Sequence, residues 1–203
     1  RGKYSKCGFT FPEDAQLIKD RLLGGEAIND KKKFQFFPTP AALAEQLVEL
    51  ADIEMHHSCL EPSAGQGAIA DVIVENSITL ELVELMEQNV VALNRKGYTP
   101  FVGDFLTMDA NQLGTFDRIV ANPPFTKNQD IDHISHMYSL LKPGGRVVSM
   151  ASKSWTLGSQ KKQKAFRDWL DTIDSEIIEV PASTFKESGT SIATVIVVAE
   201  KAA

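Results

Sequence analysis

Cysteine is scarce in this chain. Cys7 and Cys59 are the only two, too few for the disulfide framework of a small secreted scaffold. Long hydrophobic runs are missing too: nothing approaches the roughly 18 consecutive apolar residues that mark a membrane-spanning helix. The N-terminal stretch lacks the charged-then-apolar order of a secretory signal. These absences together predict a reduced, cytoplasmic setting. The chain begins with Arg rather than Met, which suggests a trimmed start or a longer parent chain.

Metal-ligand spacing is also wanting. The four histidines occur as His56-His57 and His133-x-x-His136, with no thiol or carboxylate motif to complete a ligand set. No metal is expected. Positive charge is in deficit, with a formal net charge of −6, and this excludes a protein that coats nucleic acid over its whole surface, since such binding needs many Lys and Arg contacts to phosphate. Any nucleic-acid contact must be local. The dense basic runs are Lys31-Lys32-Lys33 and Lys161-Lys162-Gln163-Lys164, and each taken alone reads as a solvated face.

What is present is an alternating pattern. With 203 residues and 43% hydrophobic content, the chain suffices for one core and is short for two. Residues 1–33 read as an extension in which "FPEDAQLIKDRLL" has helical spacing and Gly24-Gly25 ends it. From residue 34 to 203 short apolar runs alternate with amphipathic segments: "HSCLEP" then "GAIADVIVEN", "ITLELVEL" then "EQNVVALNRK", "TPFVGD", "DRIVAN" then "DIDHISHMYSLLK", "GRVVSMAS" then "KKQKAFRDWLDT". Strand following helix in this way predicts an α/β domain with a mostly parallel sheet covered on both faces. "SEIIEVP" and "SIATVIVVAE" are two strands with no helix between them, so the last strand must return antiparallel.

Candidate ligand residues gather at the ends of the predicted strands. Glu61 precedes Pro62-Ser63 and the small-residue pattern Gly65-x-Gly67-x-x-Ala70, where glycines permit a tight turn and close backbone approach of a ligand. A purely structural turn is the competing reading. Glu84 ends the next strand, where a carboxylate can accept ribose hydroxyls, with Leu85 or Met86 to pack on a base; Glu81 and Glu87 compete for that role. Asp104, in "FVGDFL", is suited to accept from an exocyclic amine with Phe105 against the ring, or it simply forms a turn. Their coincidence on one rim of the sheet favours a ligand, because open α/β sheets bind there. A fourth strand ends in "IVANPPFTKN", where Pro123 and Pro124 stiffen the backbone beside Asn122 and Phe125.

Taken in order, "EPSAGQG", the acidic second strand end, "GDF" and "NPPF" resemble the class I S-adenosylmethionine-dependent methyltransferases, and most of all the N6-adenine DNA methylases. The resemblance runs from about Phe34 to Lys201, and "STFKESGTSIATVIVVAEK" is similar to a late hairpin in the methylase subunits of restriction systems. It implies a Rossmann-like fold with sheet order 3-2-1-4-5-7-6, S-adenosylmethionine as cofactor, nucleic acid as partner, and a restriction-modification setting. In the matching place of the family's "TP" motif, Phe37, Thr39 and Pro40 would contact the methionine end of the cofactor. Thr39 as a helix cap with Pro40 as first helical residue is the structural alternative. Asn122 would also touch the cofactor, while the Asn122 side-chain oxygen and the Pro123 carbonyl accept from the target amino group and Phe125 stacks on an extruded base.

The family's DNA enzymes usually carry a separate target-recognition region, for which the segment after Phe125 leaves no room. Recognition by a partner subunit or a missing part of a longer chain is one resolution; an RNA adenine or guanine amino group, or a protein glutamine, is another; a non-catalytic cofactor-binding scaffold is a third. Lys127, Asn128, Asp130 and His133 are candidates for a wall of the target pocket, with Asp130 as a cap the plainer reading, and Trp155 is a candidate target contact.

Overall fold

The structure is a computed structural model that describes residues 3–5, 8–10, 38–77, 79–181 and 193–203. It divides into two compact units, Arg1–Phe36 and Phe37–Ala203. In the first, strands β1 (Lys3–Ser5) and β2 (Gly8–Thr10) pair antiparallel, a ladder that the sequence pattern did not announce. The helix expected over "FPEDAQLIKDRLL" lies outside the described residues, as do Phe37 and residues 182–192.

The second unit alternates helix and strand: α1 (Ala41–Ala51), β3 (Ser58–Glu61), α2 (Ala68–Ile73), β4 (Thr79–Glu84), α3 (Glu87–Arg95), β5 (Phe101–Val102), α4 (Ala110–Leu113) and β6 (Phe116–Ala121). It continues with α5 (Gln129–Ser139), β7 (Leu141–Ser152), α6 (Ser154–Leu157), α7 (Lys161–Leu170), β8 (Asp174–Glu179) and β9 (Thr194–Glu200). The seven-stranded sheet has the order β5-β4-β3-β6-β7-β9-β8. β9 runs antiparallel to both of its neighbours and the other pairings are parallel, so the order expected from the resemblance is the one observed.

Period-two alternation along the central strands sorts their side chains into two cores. Ile119 and Ala121 of β6, Val147 and Ala151 of β7, and Val195 and Val197 of β9 join Ile131, Ile134 and Phe166 on one face. Val120, Val148, Met150 and Ile196, one residue out of step, join Leu43, Leu47, Ile69 and Ile73 on the other. Helices α5 and α7 therefore cover one face, and α1 and α2 the other. Each fully buried branched side chain contributes about 1.5–3 kcal/mol, and a slip of one residue in any central strand would exchange the faces. Because β3, β4, β6 and β7 are mutually parallel, their carboxyl ends share one rim.

Candidate cofactor and target site

The glycine loop is built from backbone geometry. Gly65 and Gly67 have φ of 55° and 82°, conformations open to glycine with little steric penalty. Ala64 N donates to Val83 O at 3.0 Å, and Gly67 N donates to Ala64 O at 2.8 Å. A Cβ on Gly67 would stand 3.0 Å from Leu93 Cδ2, so the position is closed to larger residues by packing as well as by φ.

Two buried carboxyls flank this loop. Glu84 accepts from Gly65 N and from Met86 N, each at 2.6 Å. Burial pushes its pKa up, and the backbone donors work against that rise. The Asn89 side chain is a further donor to this carboxylate, so Glu84 locks the glycine loop to the end of β4. The strand register separates Glu84 from its competitors: Glu81 pairs with Leu60 within the sheet, Glu87 is exposed at the start of α3, and Glu84 alone meets the glycine loop. Glu61 is almost wholly buried, and its Oε2 has no hydrogen-bond partner among the described residues. Desolvation holds its pKa well above the usual carboxylate range, against a hydrogen bond from the Ala70 amide and with a further rise from the Glu84 charge. An unsatisfied buried carboxyl oxygen is costly in a resting fold.

The remaining cofactor candidates divide. Pro62 is buried, Ser63 half-buried and Leu85 exposed; Met86 is buried with its sulfur accepting from Asn89 Nδ2 at 3.6 Å. Asp104 is exposed, and its Oδ1 caps a short 3-10 turn, Phe105–Thr107, by accepting from Leu106 N at 3.0 Å. Phe105 is buried in the core, with its ring centroid 5.5 Å from that of His133 and 4.7 Å from that of His136.

The proline shelf follows β6. Pro123 is buried, while Pro124 and Phe125 are half-buried, with Phe125 packed against the core that holds α1. Asn122 Nδ2 donates to Thr39 Oγ1 at 3.1 Å, joining two segments 83 residues apart in sequence. Thr39 does not cap α1: Pro40 is the capping residue, and no side-chain hydrogen bond forms there. The threonine hydroxyl is directed to the shelf instead.

Three expected target contacts prove to be interior. Asp130, His133 and Trp155 are all buried, because the face of α5 that carries Asp130, Ile134 and Met137 turns to the sheet and Trp155 packs edge-on against Phe166. Asp130 Oδ2 accepts from Ser152 N at 2.7 Å and ties α5 to the end of β7. Asp130 is not the cap of α5; Asn128 holds that position, without a capping hydrogen bond from its side chain. Burial raises the Asp130 pKa to about 6 and lowers that of His133 to about 4. Lys127 is exposed and Asn128 half-buried, both with positive φ of 56° and 59°. The role of Asn128, whose amide bonds to Gln160 and Gln163 at 2.9 and 3.0 Å, had no signal in the local pattern.

Among the described residues one group, Glu54, His56 and His57, brings potential metal-ligand atoms within 4.8 Å of one another. Glu54 N donates to His57 Nδ1 at 2.9 Å, and burial favours the neutral ring. The proton then sits on Nε2, so neither nitrogen of His57 presents a lone pair.

No family model and no curated protein matches the sequence. Solved structures do. The chain is similar to a modification subunit provisionally assigned to a type I restriction enzyme of Vibrio vulnificus, at 16% identity and a TM-score of 0.68, over 96% of this chain and 51% of that one. It is similar to the type I restriction-modification methyltransferase subunit of Streptococcus thermophilus, at 18% identity and 0.68, over 81% and 45%. A dimethyladenosine transferase of Plasmodium falciparum matches at 16% identity and 0.58, over 80% and 61%. The chain spans about half the length of the restriction-system subunits it matches. The fold is the Rossmann-like class I methyltransferase fold.

Proposed function

We propose that this protein is an S-adenosylmethionine-dependent methyltransferase acting on an exocyclic amino nitrogen, with N6 of adenine in DNA as the target. The hydrogen bond between Thr39 and Asn122 carries the reading. It draws the threonine-proline segment and the proline shelf together on the rim where Glu61, the glycine loop and Glu84 also stand. The unsatisfied oxygen of Glu61 and the left-handed glycines fit a polar ligand approached closely by backbone. Glu61, Ser63, Gly65, Gly67 and Glu84 would hold the nucleoside and amino acid parts of the cofactor, with Thr39 and Pro40 at its methionine end. When bound, S-adenosylmethionine supplies an electrophilic methyl group.

The chain's own residues then act on the target. An adenine amino group is a weak nucleophile because its lone pair is delocalised into the ring. Acceptors on its two hydrogens favour a more tetrahedral nitrogen, and the Asn122 side-chain oxygen and Pro123 carbonyl are such acceptors. Donation from the Asn122 amide nitrogen to Thr39 fixes which branch of that amide faces the target. Two prolines keep the carbonyl from swinging, and Phe125 provides a ring face for the extruded base. Alignment of donor and acceptor lowers the barrier without a covalent intermediate. In this reading target choice resides in another subunit or another part of the protein, as the similarity to restriction-system subunits suggests.

The test is transfer of labelled methyl from S-adenosylmethionine to double-stranded DNA, single-stranded DNA and total RNA in parallel, with the modified nucleoside identified by mass. N6-methyladenine in DNA is expected. Label confined to RNA would overturn the DNA assignment, and cofactor binding without label on any of the three would point to a missing recognition partner, a protein acceptor or a scaffold.

A further inference from the structure

The turn after β7 and the first turn of α7 hold features that the fold does not require. α7 begins with Lys161, Lys162 and Lys164 and has no acidic residue in its first turn. Positive charge at a helix N-terminus opposes the helix dipole and weakens the helix. Lys162 is compensated, since its Nζ lies 2.5 Å from Asp132 Oδ2 and donates to Asn128 O at 2.8 Å. Lys161 and Lys164 are exposed and form no ion pair among the described residues. Just before them Leu157, at the end of α6, leaves 91% of its surface open to solvent.

This protruding leucine is firmly mounted. Arg167 Nη1 donates to Trp155 O and Gly158 O at 2.5 and 2.9 Å, and a Cβ on Gly158 would fall only 1.9 Å from Gln163 Oε1. The turn is also fastened to the target shelf. The Asn128 amide donates to Gln160 and accepts from Gln163, while Lys127 and Asn128 keep left-handed backbones that non-glycine residues adopt at an energetic cost. Leu157 precedes Gln160 by three residues, a reach of at most about 11 Å. The Asn128 bonds therefore join the segment that carries Lys127, next after the shelf, to the turn and helix start that carry Leu157, Lys161 and Lys164.

We propose that these joined segments form a rim that grips the strand flanking the target nucleotide, a proposal that rests on the nucleic-acid reading above. The lysines face phosphates, and Leu157 enters the gap in the base stack left by the extruded base, as apolar wedges do in deformed duplexes. The occupant is a nucleic-acid backbone because an acidic chain has placed three exposed cations, without ion-pair partners among the described residues, on the segments that carry and fasten one apolar tip, two of them at the expense of helix stability. An acidic partner surface would satisfy the lysines but would give Leu157 no stack to enter.

The experiment measures anisotropy of a fluorescein-labelled DNA duplex across a salt series, with methyl transfer assayed in the same samples. For the Lys161→Gln/Lys164→Gln double variant, the slope of log affinity against log salt is expected to fall by about 1.8, while the melting temperature stays level or rises. Leu157→Ser is expected to weaken binding on the order of tenfold with the slope unchanged. Wild-type affinity and slope in both variants, or no salt-dependent binding by the wild type, would overturn the rim. If the wild type methylates nucleic acid while the variants bind as it does, the rim fails and the proposed function stands. If the variants lose binding but methyl goes only to a peptide amide, the rim stands and the function fails.

Discussion

The two rims of the sheet treat polar groups in opposite ways. At the amino-terminal rim Ser58, Asp117 and Lys142, from the starts of β3, β6 and β7, form a closed network: Lys142 Nζ donates to Asp117 Oδ2 at 2.7 Å and to Ser58 Oγ at 2.9 Å, and Ser58 N and Oγ donate to the same carboxylate at 2.8 and 2.7 Å. Partial burial works to raise the Asp117 pKa, but the Lys142 and Ser58 hydrogen bonds outweigh it and hold the group below the ordinary carboxylate range. At the carboxyl-terminal rim Glu61, Glu84 and Asp130 are shifted upward by burial, and among the described residues Glu61 Oε2 and His133 Nδ1 lack partners. A fold optimised only for stability would satisfy both rims. The difference marks the amino-terminal rim as a clamp on three strands, while the carboxyl-terminal rim leaves buried polar groups under strain.

The sharpest way to expose that strain is pH. Asp130 binds its proton up to about pH 6 in the native state against 3.8 for the ordinary side chain. Across that window the native protein holds a proton the unfolded chain has lost, so this group's contribution to stability falls as pH rises. His133 does the reverse, losing its proton near pH 4 instead of 6.5, so its contribution rises with pH between those values. Relative to wild type, Asp130→Asn should gain and His133→Gln should lose stability as pH increases from about 4 to about 6, each by on the order of 3 kcal/mol. Denaturation at a series of pH values checks this, and parallel curves for all three proteins would remove the contrast between the rims.

Next in size is Glu84. Glu84→Gln places an amide NH2 against Gly65 N or Met86 N, and an unpaired buried group costs about 1–3 kcal/mol. Saturating S-adenosylmethionine should stabilise the wild type by about 2.7 kcal/mol at 100 times Kd and this variant by clearly less, as read by thermal shift. Glu81→Gln, in mid-strand, should respond as the wild type does.

Much of this was legible in the residues. Alternating apolar and amphipathic segments announced the sheet and its returning last strand, and the turn-forming ends of four strands pointed to one rim. Choosing Glu84 over Glu81 and Glu87 needed the strand register, which no local pattern contains. Asp130 and His133, candidates for a pocket wall, lie on the buried side of α5, and the spacing of Asp130, Ile134 and Met137 was the available signal of that placement. The Asn128 clamp and the Ser58–Asp117–Lys142 network depend on contacts between distant segments and left no trace along the chain.

A smaller effect is expected at the clamp. Asp117→Ala should destabilise the protein by about 1–2 kcal/mol near neutral pH, a modest figure because the pair is partly solvated. Because Asp117 has a depressed pKa, this deficit should shrink as pH falls below about 4. Cofactor affinity should be unchanged, and a loss of affinity would mean that the rims are not independent. Smallest of all, Thr39→Val should lower the rate of transfer by about tenfold or less, through loss of one hydrogen bond to Asn122 worth about 1 kcal/mol, with cofactor binding and melting temperature close to wild type.

The central claim is that the rim joined by Thr39 and Asn122 performs methyl transfer. Single-turnover transfer to DNA at saturating S-adenosylmethionine, by wild type and Asn122→Ala with cofactor binding measured in the same samples, tests it most directly. A loss on the order of 10²-fold in rate with cofactor affinity retained is the expected result; full transfer by Asn122→Ala would contradict the account.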